Sequence, residues 1–245
     1  MERVAAHYGI PSLHLGVAVV QAVAAGRMVF KGTPADGERA FSLDGVHPTA
    51  AGHRLYFAQI APFLPALFRG PAPAAAPLPP ARQAANWERA GLQEIAPALL
   101  RGEWTPVAAD DANLRGVTKA LLPPTWRTAT PGAALEAEFT GTRFGLLGIA
   151  SPDNGEFIVT IDALPPERAT FFDAYASPTF CRVTKWFSAR ELPPGRHRVR
   201  IELGAAPLDK AAIKARAGKT LEPAAAYAPQ RLTLSGLLTV DTATP

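Results

Sequence analysis

Ser42-Leu43-Asp44-Gly45-Val46-His47-Pro48-Thr49-Ala50-Ala51-Gly52-His53 sets a carboxylate and an imidazole three residues apart, in a turn that opens an apolar helix. Pro48 pushes His47 toward an extended conformation, and the Thr49 hydroxyl suits a helix cap, so a helix is expected from about Ala50 to Phe68. Leu55, Ile60, Phe63, Leu64 and Leu67 are its candidate core side chains, while Pro62 and Pro65 predict a kink or an early end. An aspartate this close to a histidine can accept a hydrogen bond from one ring nitrogen, which fixes the tautomer and leaves the other nitrogen free to take a proton. From spacing alone, a turn aspartate capping its own backbone beside a helix-opening histidine explains the pair at least as well.

Upstream of this turn, residues 2–8 read as the end of a helix stopped by Gly9 and Pro11. Ser12 to Leu15 is short and apolar enough for a buried strand. Val17 to Ala25 is apolar almost all round and is followed by Gly26, so a small buried helix is expected there. Gly32 to Glu38 reads as a polar loop.

Taken together, His7-Tyr8-Gly9-Ile10-Pro11, Asp44-Gly45-Val46-His47-Pro48 and Gly52-His53 resemble the C-terminal third of an SGNH (GDSL-type) esterase or acylhydrolase domain. The resemblance covers roughly residues 1 to 68 and implies a flavodoxin-like α/β fold. It also implies that Asp44 and His47 are the acid and base of a Ser-His-Asp triad, in serine chemistry that uses no metal or organic cofactor. That family carries its nucleophile in a Gly-Asp-Ser-type block and its oxyanion-hole glycine and asparagine in two further blocks, none of which occurs in this chain. Ser12 and Ser42 lie in no glycine-flanked nucleophile turn. A doubly wound domain needs roughly 150 residues to close its sheet, so a methionine placed just before a mid-domain helix suggests an N-terminally truncated gene model or fragment, with a natural degenerate protein as the alternative. This polypeptide is expected to show no appreciable esterase activity by itself.

Arg69 to Ala85 mixes five prolines with alanines and reads as an extended linker, so residues 69–86 are taken to separate two domains. Between Asn86 and Thr130, Trp87, Trp104 and Trp126 punctuate weak periodicity, either as the lining of a sugar site or as anchors pinning irregular chain to a core. Leu92 to Arg101 fits a short helix interrupted by Pro97. From Ala134 the language changes to alternating runs: Leu135 to Phe139, Arg143 to Ile149, Phe157 to Ile161, Ala169 to Tyr175, Arg182 to Phe187, Arg196 to Leu203 and Arg231 to Val240. Turns such as Asp153-Asn154-Gly155 and Leu192-Pro193-Pro194-Gly195 separate them, and Asp209 to Ala217 reads as a helical insertion. Residues 87–245 are therefore expected to form an all-β sandwich of about seven or eight strands. Phe139-Thr140-Gly141-Thr142, Gly155 to Asp162 and Leu192 to Val199 resemble the jelly-roll accessory domain of carbohydrate esterase family 2, although there the jelly roll precedes the hydrolase domain and here it follows. The resemblance implies a carbohydrate or another acylated small molecule or polymer as the substrate partner, and a non-catalytic carbohydrate-binding module is the alternative function.

Composition narrows the classes. The 245 residues are 48% hydrophobic and 19% charged, with 25 Lys and Arg against 21 Asp and Glu, a net charge of +4 without any block of one sign. That balance argues against a nucleic-acid partner. In Arg196-His197-Arg198-Val199-Arg200 the arginines fall on one side of a period-two strand, the side expected to face solvent. The single cysteine, Cys181, excludes a disulfide framework and a multi-cysteine zinc site. His53 is read as a packing or capping residue, His7, His14 and His197 lack metal-ligand spacing, and Asp153, Asn154 and Asp162 fit turn chemistry as well as calcium. No window is apolar for the 18 or so residues that a membrane span needs. A periplasmic or secreted location is expected for the full-length protein from the resemblance.

Overall fold

The computed structural model describes residues 2–70, 77–83, 86–108, 110–111 and 122–241. They divide into two units, Met1–Arg82 and Gln83–Pro245.

The first unit contains α1 (Glu2–His7), α2 (Leu15–Ala24), β1 (Val29–Lys31), β2 (Ala40–Ser42) and α3 (Ala50–Arg69). β1 and β2 run parallel, with Val29 opposite Ala40 and Lys31 opposite Ser42. These three-residue strands are too short to show a period in the sequence. The stretch expected as a polar loop makes the crossover as a 3-10 segment, Pro34–Arg39, started by a capping box in which the Asp36 carboxylate accepts from the Thr33 amide at 2.8 Å. Two expectations are corrected. Ser12 to Leu15 is not a buried strand: it has no strand beside it to pair with, residues 12–14 are exposed, and α2 begins at Leu15. α2 itself is not buried all round, since only Val19 and Ala22 are covered while Val17, Val20 and Val23 face solvent.

α3 runs through Pro62 and Pro65 without ending. Its fully buried positions are Ala51 and Gly52 at the start. Of the predicted core residues, Leu55, Ile60 and Phe63 are half-buried and Leu64 and Leu67 are exposed, because two short helices and two short strands offer too little surface to cover twenty residues of helix. His53 is exposed rather than packed or capping. Beyond α3, residues 71–76 of the proline-rich stretch lie outside the described residues, and Pro80 is held by a 2.8 Å hydrogen bond between its carbonyl and His7 Nε2.

The second unit is a two-sheet sandwich. Its strands are β3 (Ala90–Gln93), β4 (Leu100–Arg101), β5 (Thr105–Pro106), β6 (Trp126–Thr128), β7 (Ala134–Thr140), β8 (Arg143–Ala150), β9 (Glu156–Ile161), β10 (Glu167–Thr170), β11 (Arg182–Phe187), β12 (Arg196–Leu203) and β13 (Leu232–Val240). One sheet has the order β10-β9-β12-β7-β4, the other β11-β8-β13-β6-β5, with β3 also paired to β13. The helix expected over Leu92 to Arg101 is instead two short strands around a 3-10 turn at Pro97–Leu99, because Pro97 has no N–H for a helical ladder and the flanking chain pairs with sheet edges. The run expected as strand from Ala169 to Tyr175 leaves the sheet at Thr170, where Phe171 and Phe172 turn into separate apolar clusters.

Period two decides which side chains meet between the sheets. Leu135, Phe157, Val159, Val199 and Ile201 of the first sheet pack with Phe144, Leu146, Leu232, Leu234 and Leu237 of the second in one buried cluster. A Cβ at Gly148 would overlap the Phe171 ring and the Thr233 carbonyl, so the strand approaches its neighbours there only because the residue is glycine. Outside, Arg198 and Arg200 pair with Glu138 and Glu136 across the β12–β7 ladder, the solvated face expected from the arginine spacing. Trp104 and Trp126 pack against the core and donate through Nε1 to the Arg101 and Ile95 carbonyls, so both act as anchors. Trp87 rests on Phe187, with ring centroids 4.8 Å apart.

α4 (Lys210–Ala215) follows the N-cap Asp209, which accepts from Ala212 N at 2.9 Å. Its first residue is a buried cation. Lys210 Nζ donates to the carbonyls of Pro152, Tyr227 and Pro229 at 3.0, 2.7 and 2.6 Å, and burial pushes its pKa down to about 8. Among the described residues no helix is long and apolar enough to cross a membrane.

Candidate functional site

The Asp44 turn is built by its own backbone. Asp44 Oδ1 accepts from the amides of Val46 and His47, both at 2.8 Å, and from Ser42 Oγ at 3.0 Å, while Ser42 Oγ accepts from Gly45 N at 2.8 Å. Gly45 takes φ of 85°, the left-handed conformation that costs glycine least. The turn is closed by a bridge between Ser42 and Pro48.

Thr49 then ties three elements together. Its amide donates to Phe41 O at 2.7 Å, its hydroxyl donates to Ala40 O at 2.6 Å, and the same hydroxyl accepts from Gly52 N at 3.2 Å as the cap of α3. At Gly52 a Cβ would lie 2.7 Å from Phe41 O, so glycine lets the helix start directly on β2. The end of a parallel strand and the start of a helix therefore hold the turn from both sides.

With Oδ1 occupied by the backbone, Asp44 Oδ2 is left for the imidazole. His47 Nδ1 lies 2.6 Å from it. The hydrogen bond from His47, with those from the two amides, holds the Asp44 carboxyl well below the usual carboxylate range, so it is ionised at any working pH. The site is open: the side chains of His47 and Asp44 are 82% and 54% exposed. Nε2 of His47 has no hydrogen-bond partner among the described residues. An imidazole oriented through Nδ1 with a free Nε2 can accept a proton from a hydroxyl brought to it and return that proton to a leaving group.

The nearby hydroxyl is not placed to be that nucleophile. Ser42 is fully buried and its Oγ is engaged by Asp44 and Gly45. Cys181 is buried in the other unit, where burial raises its thiol to about 11 and keeps it protonated. The remaining candidates resolve into structural roles. Asp153 accepts from Arg231 Nη1 at 3.0 Å, Asn154 Oδ1 accepts from Ser151 N at 2.7 Å, and Asp162 accepts from Arg198 N at 2.8 Å. Among the described residues no group of three or more His, Cys, Asp or Glu is arranged to hold a metal ion. Two features escaped sequence reading: the carboxylate partner of His197, thirty-five residues away at Asp162, and the carbonyl cage around Lys210. Neither has a local signal, since both depend on which loops the sheets bring together.

No protein-family model matches the sequence. No curated protein matches it either. Solved structures do match in fold. A two-domain esterase (CEX) active on acetylated mannans superposes with a TM-score of 0.69 at 14% identity, over 100% of this chain and 59% of that one. The structure of a two-domain esterase of the same description, co-crystallised with mannopentaose, gives 0.65 at 16% identity, over 99% and 58%. The chain thus spans just under three-fifths of the length of the esterase structures whose fold it shares.

Proposed function

We propose that this chain is the acid–base-bearing C-terminal part of an SGNH-type serine esterase that removes acyl groups, acetyl for example, from a carbohydrate. The observation that carries the reading is the 2.6 Å Nδ1-to-Oδ2 bond of His47 and Asp44, with Nε2 open to solvent, at the junction of a parallel strand and a helix. Residues 1–68 are then the end of a flavodoxin-like domain, 69–86 the linker and 87–245 a jelly-roll accessory domain. Likeness in fold to two-domain esterases across the whole chain supports this assignment. His47 takes the proton of a serine and later protonates the leaving alcohol, while Asp44 orients the ring and stabilises the imidazolium. The serine and the oxyanion donors come from polypeptide outside this chain.

The test has two parts. The purified chain should not turn over p-nitrophenyl acetate above the rate of its His47→Ala variant. Sequencing the DNA upstream of the Met1 codon should reveal an in-frame Gly-Asp-Ser-type block, and the extended protein should hydrolyse the ester with a loss of about 10²–10⁴ on His47→Ala. Turnover by the present chain that disappears on His47→Ala would place the nucleophile inside it, and an inactive extended protein would remove the esterase reading.

A second reading concerns the sandwich unit and is compatible with the first: it binds saccharide. The observation favouring it is the exposure of Tyr175 and Phe180 on one ordered loop.

A further inference from the structure

The loop Phe171–Cys181, between β10 and β11, is tied down at many points and still turns two aromatic rings outward. Phe171 is buried against Phe157, at 4.9 Å between centroids, and Phe172 and Ala176 join a second cluster with Tyr227. Asp173 Oδ1 accepts from the amides of Tyr175 and Ala176 at 2.8 and 3.0 Å. Ser177 and Phe180 exchange two backbone hydrogen bonds, and Arg182 is ion-paired with Asp173. Despite this order, Tyr175 is 61% and Phe180 52% exposed.

Each ring has a cation on one side. Lys219 Nζ lies 5.0 Å from the Tyr175 ring centroid, and Arg182 Cζ lies 5.3 Å from that of Phe180. Cation–π attraction fixes the rings and leaves their other faces to water. Folding gains little from rings left in water, and the hydrogen bonds of the loop hold them there, so both are available to a ligand. A protein interface is a poorer match, because the polar Ser177 and Thr179 interrupt the sequence between the two rings. Separate ring faces bordered by a carboxylate, a guanidinium and an ammonium suit a molecule with an apolar C–H face and a rim of hydroxyls. Asp173 and Arg182 neutralise each other beside the rings, so the surface calls for hydroxyls rather than an ion.

We propose that Tyr175 and Phe180 form a platform on which neutral pyranose rings of a glycan stack, with Asp173 and Lys219 hydrogen-bonding the rim hydroxyls. This rests on the saccharide-binding reading of the sandwich unit. Isothermal titration of the full chain with mannopentaose, cellohexaose, xylohexaose and polygalacturonate tests it. At least one neutral oligosaccharide should bind. Tyr175→Ala and Phe180→Ala should each weaken that binding about tenfold, and the double variant should lose it, with an unchanged thermal transition. Equal binding by the double variant would overturn the platform and leave the saccharide-binding reading standing, whereas no binding to any probe would end both. Binding of polygalacturonate alone, weakened by salt, would overturn the neutral ligand.

Discussion

His197 and Asp162 form a second histidine–carboxylate pair, with Nδ1 at 2.7 Å from Oδ2, but here the other ring nitrogen faces the Pro193 carbonyl at 2.9 Å. Both partners are acceptors, so the geometry is fully satisfied only by the imidazolium, which donates from each nitrogen. The pair joins β12 to the end of β9 and is structural, whereas His47 keeps Nε2 free.

This sets a pH dependence. Burial pulls the His197 pKa down, but the Asp162 carboxylate and the Pro193 carbonyl outweigh it, and the net shift is upward. A base whose folded pKa is raised adds stability that is complete below its unfolded value near 6.5 and is lost as pH rises through the folded value. The melting temperature of the sandwich unit should therefore fall from pH 6 toward pH 9 in the unsubstituted chain and change less in His197→Asn. Parallel curves for the two would show that the ring is neutral throughout.

Asp44 fixes the His47 tautomer. Neutral His47 should carry its proton on Nδ1, visible in ¹⁵N NMR, and Asp44→Ala should release the ring to the mixture of tautomers found in free histidine. An Nε2–H tautomer in the unsubstituted chain would mean that the imidazole is turned the wrong way to act as a base.

Among the described glycines of the sandwich, Gly148 is the one where an added Cβ would come nearest its neighbours. Gly148→Ala forces a methyl against the Phe171 ring and the Thr233 carbonyl, and should cost about 1–3 kcal/mol in urea unfolding of the sandwich unit. A neutral substitution would show that the ring moves aside freely.

Lys210 is the internal brace of the loops at one end of the second unit. Lys210→Met leaves the Pro152, Tyr227 and Pro229 carbonyls without their donor, and should destabilise by about 1–3 kcal/mol by the same measurement. A cost below about 1 kcal/mol would indicate that water replaces the ammonium.

What could be read along the chain was local. The turn from Ser42 to His53 showed its Asx geometry, its Thr49 cap and its Asp44–His47 pair, because each interaction spans two or three residues. The strands Arg182–Phe187 and Arg196–Leu203 fell where alternation put them, since one face of each had to be buried. Ser12 to Leu15 failed as a strand because apolar character without a neighbour to pair with does not make one. α2 kept its helix but not its burial, since burial depends on what packs against it and periodicity does not report that.

The sequence alone determined the helix-opening turn with its Asp44–His47 hydrogen bond and the alternation that separates Arg198 and Arg200 from Val199 and Ile201. Only the tertiary structure decided that Asp162 meets His197, that three carbonyls converge on Lys210, and that Tyr175 and Phe180 are exposed on a loop of which only Phe171 to Tyr175 was expected as strand. The physical reason is range: caps and pleats are set by neighbours a few residues away, whereas cages, ion pairs between strands and exposed rings are set by how two sheets fold their loops around one core.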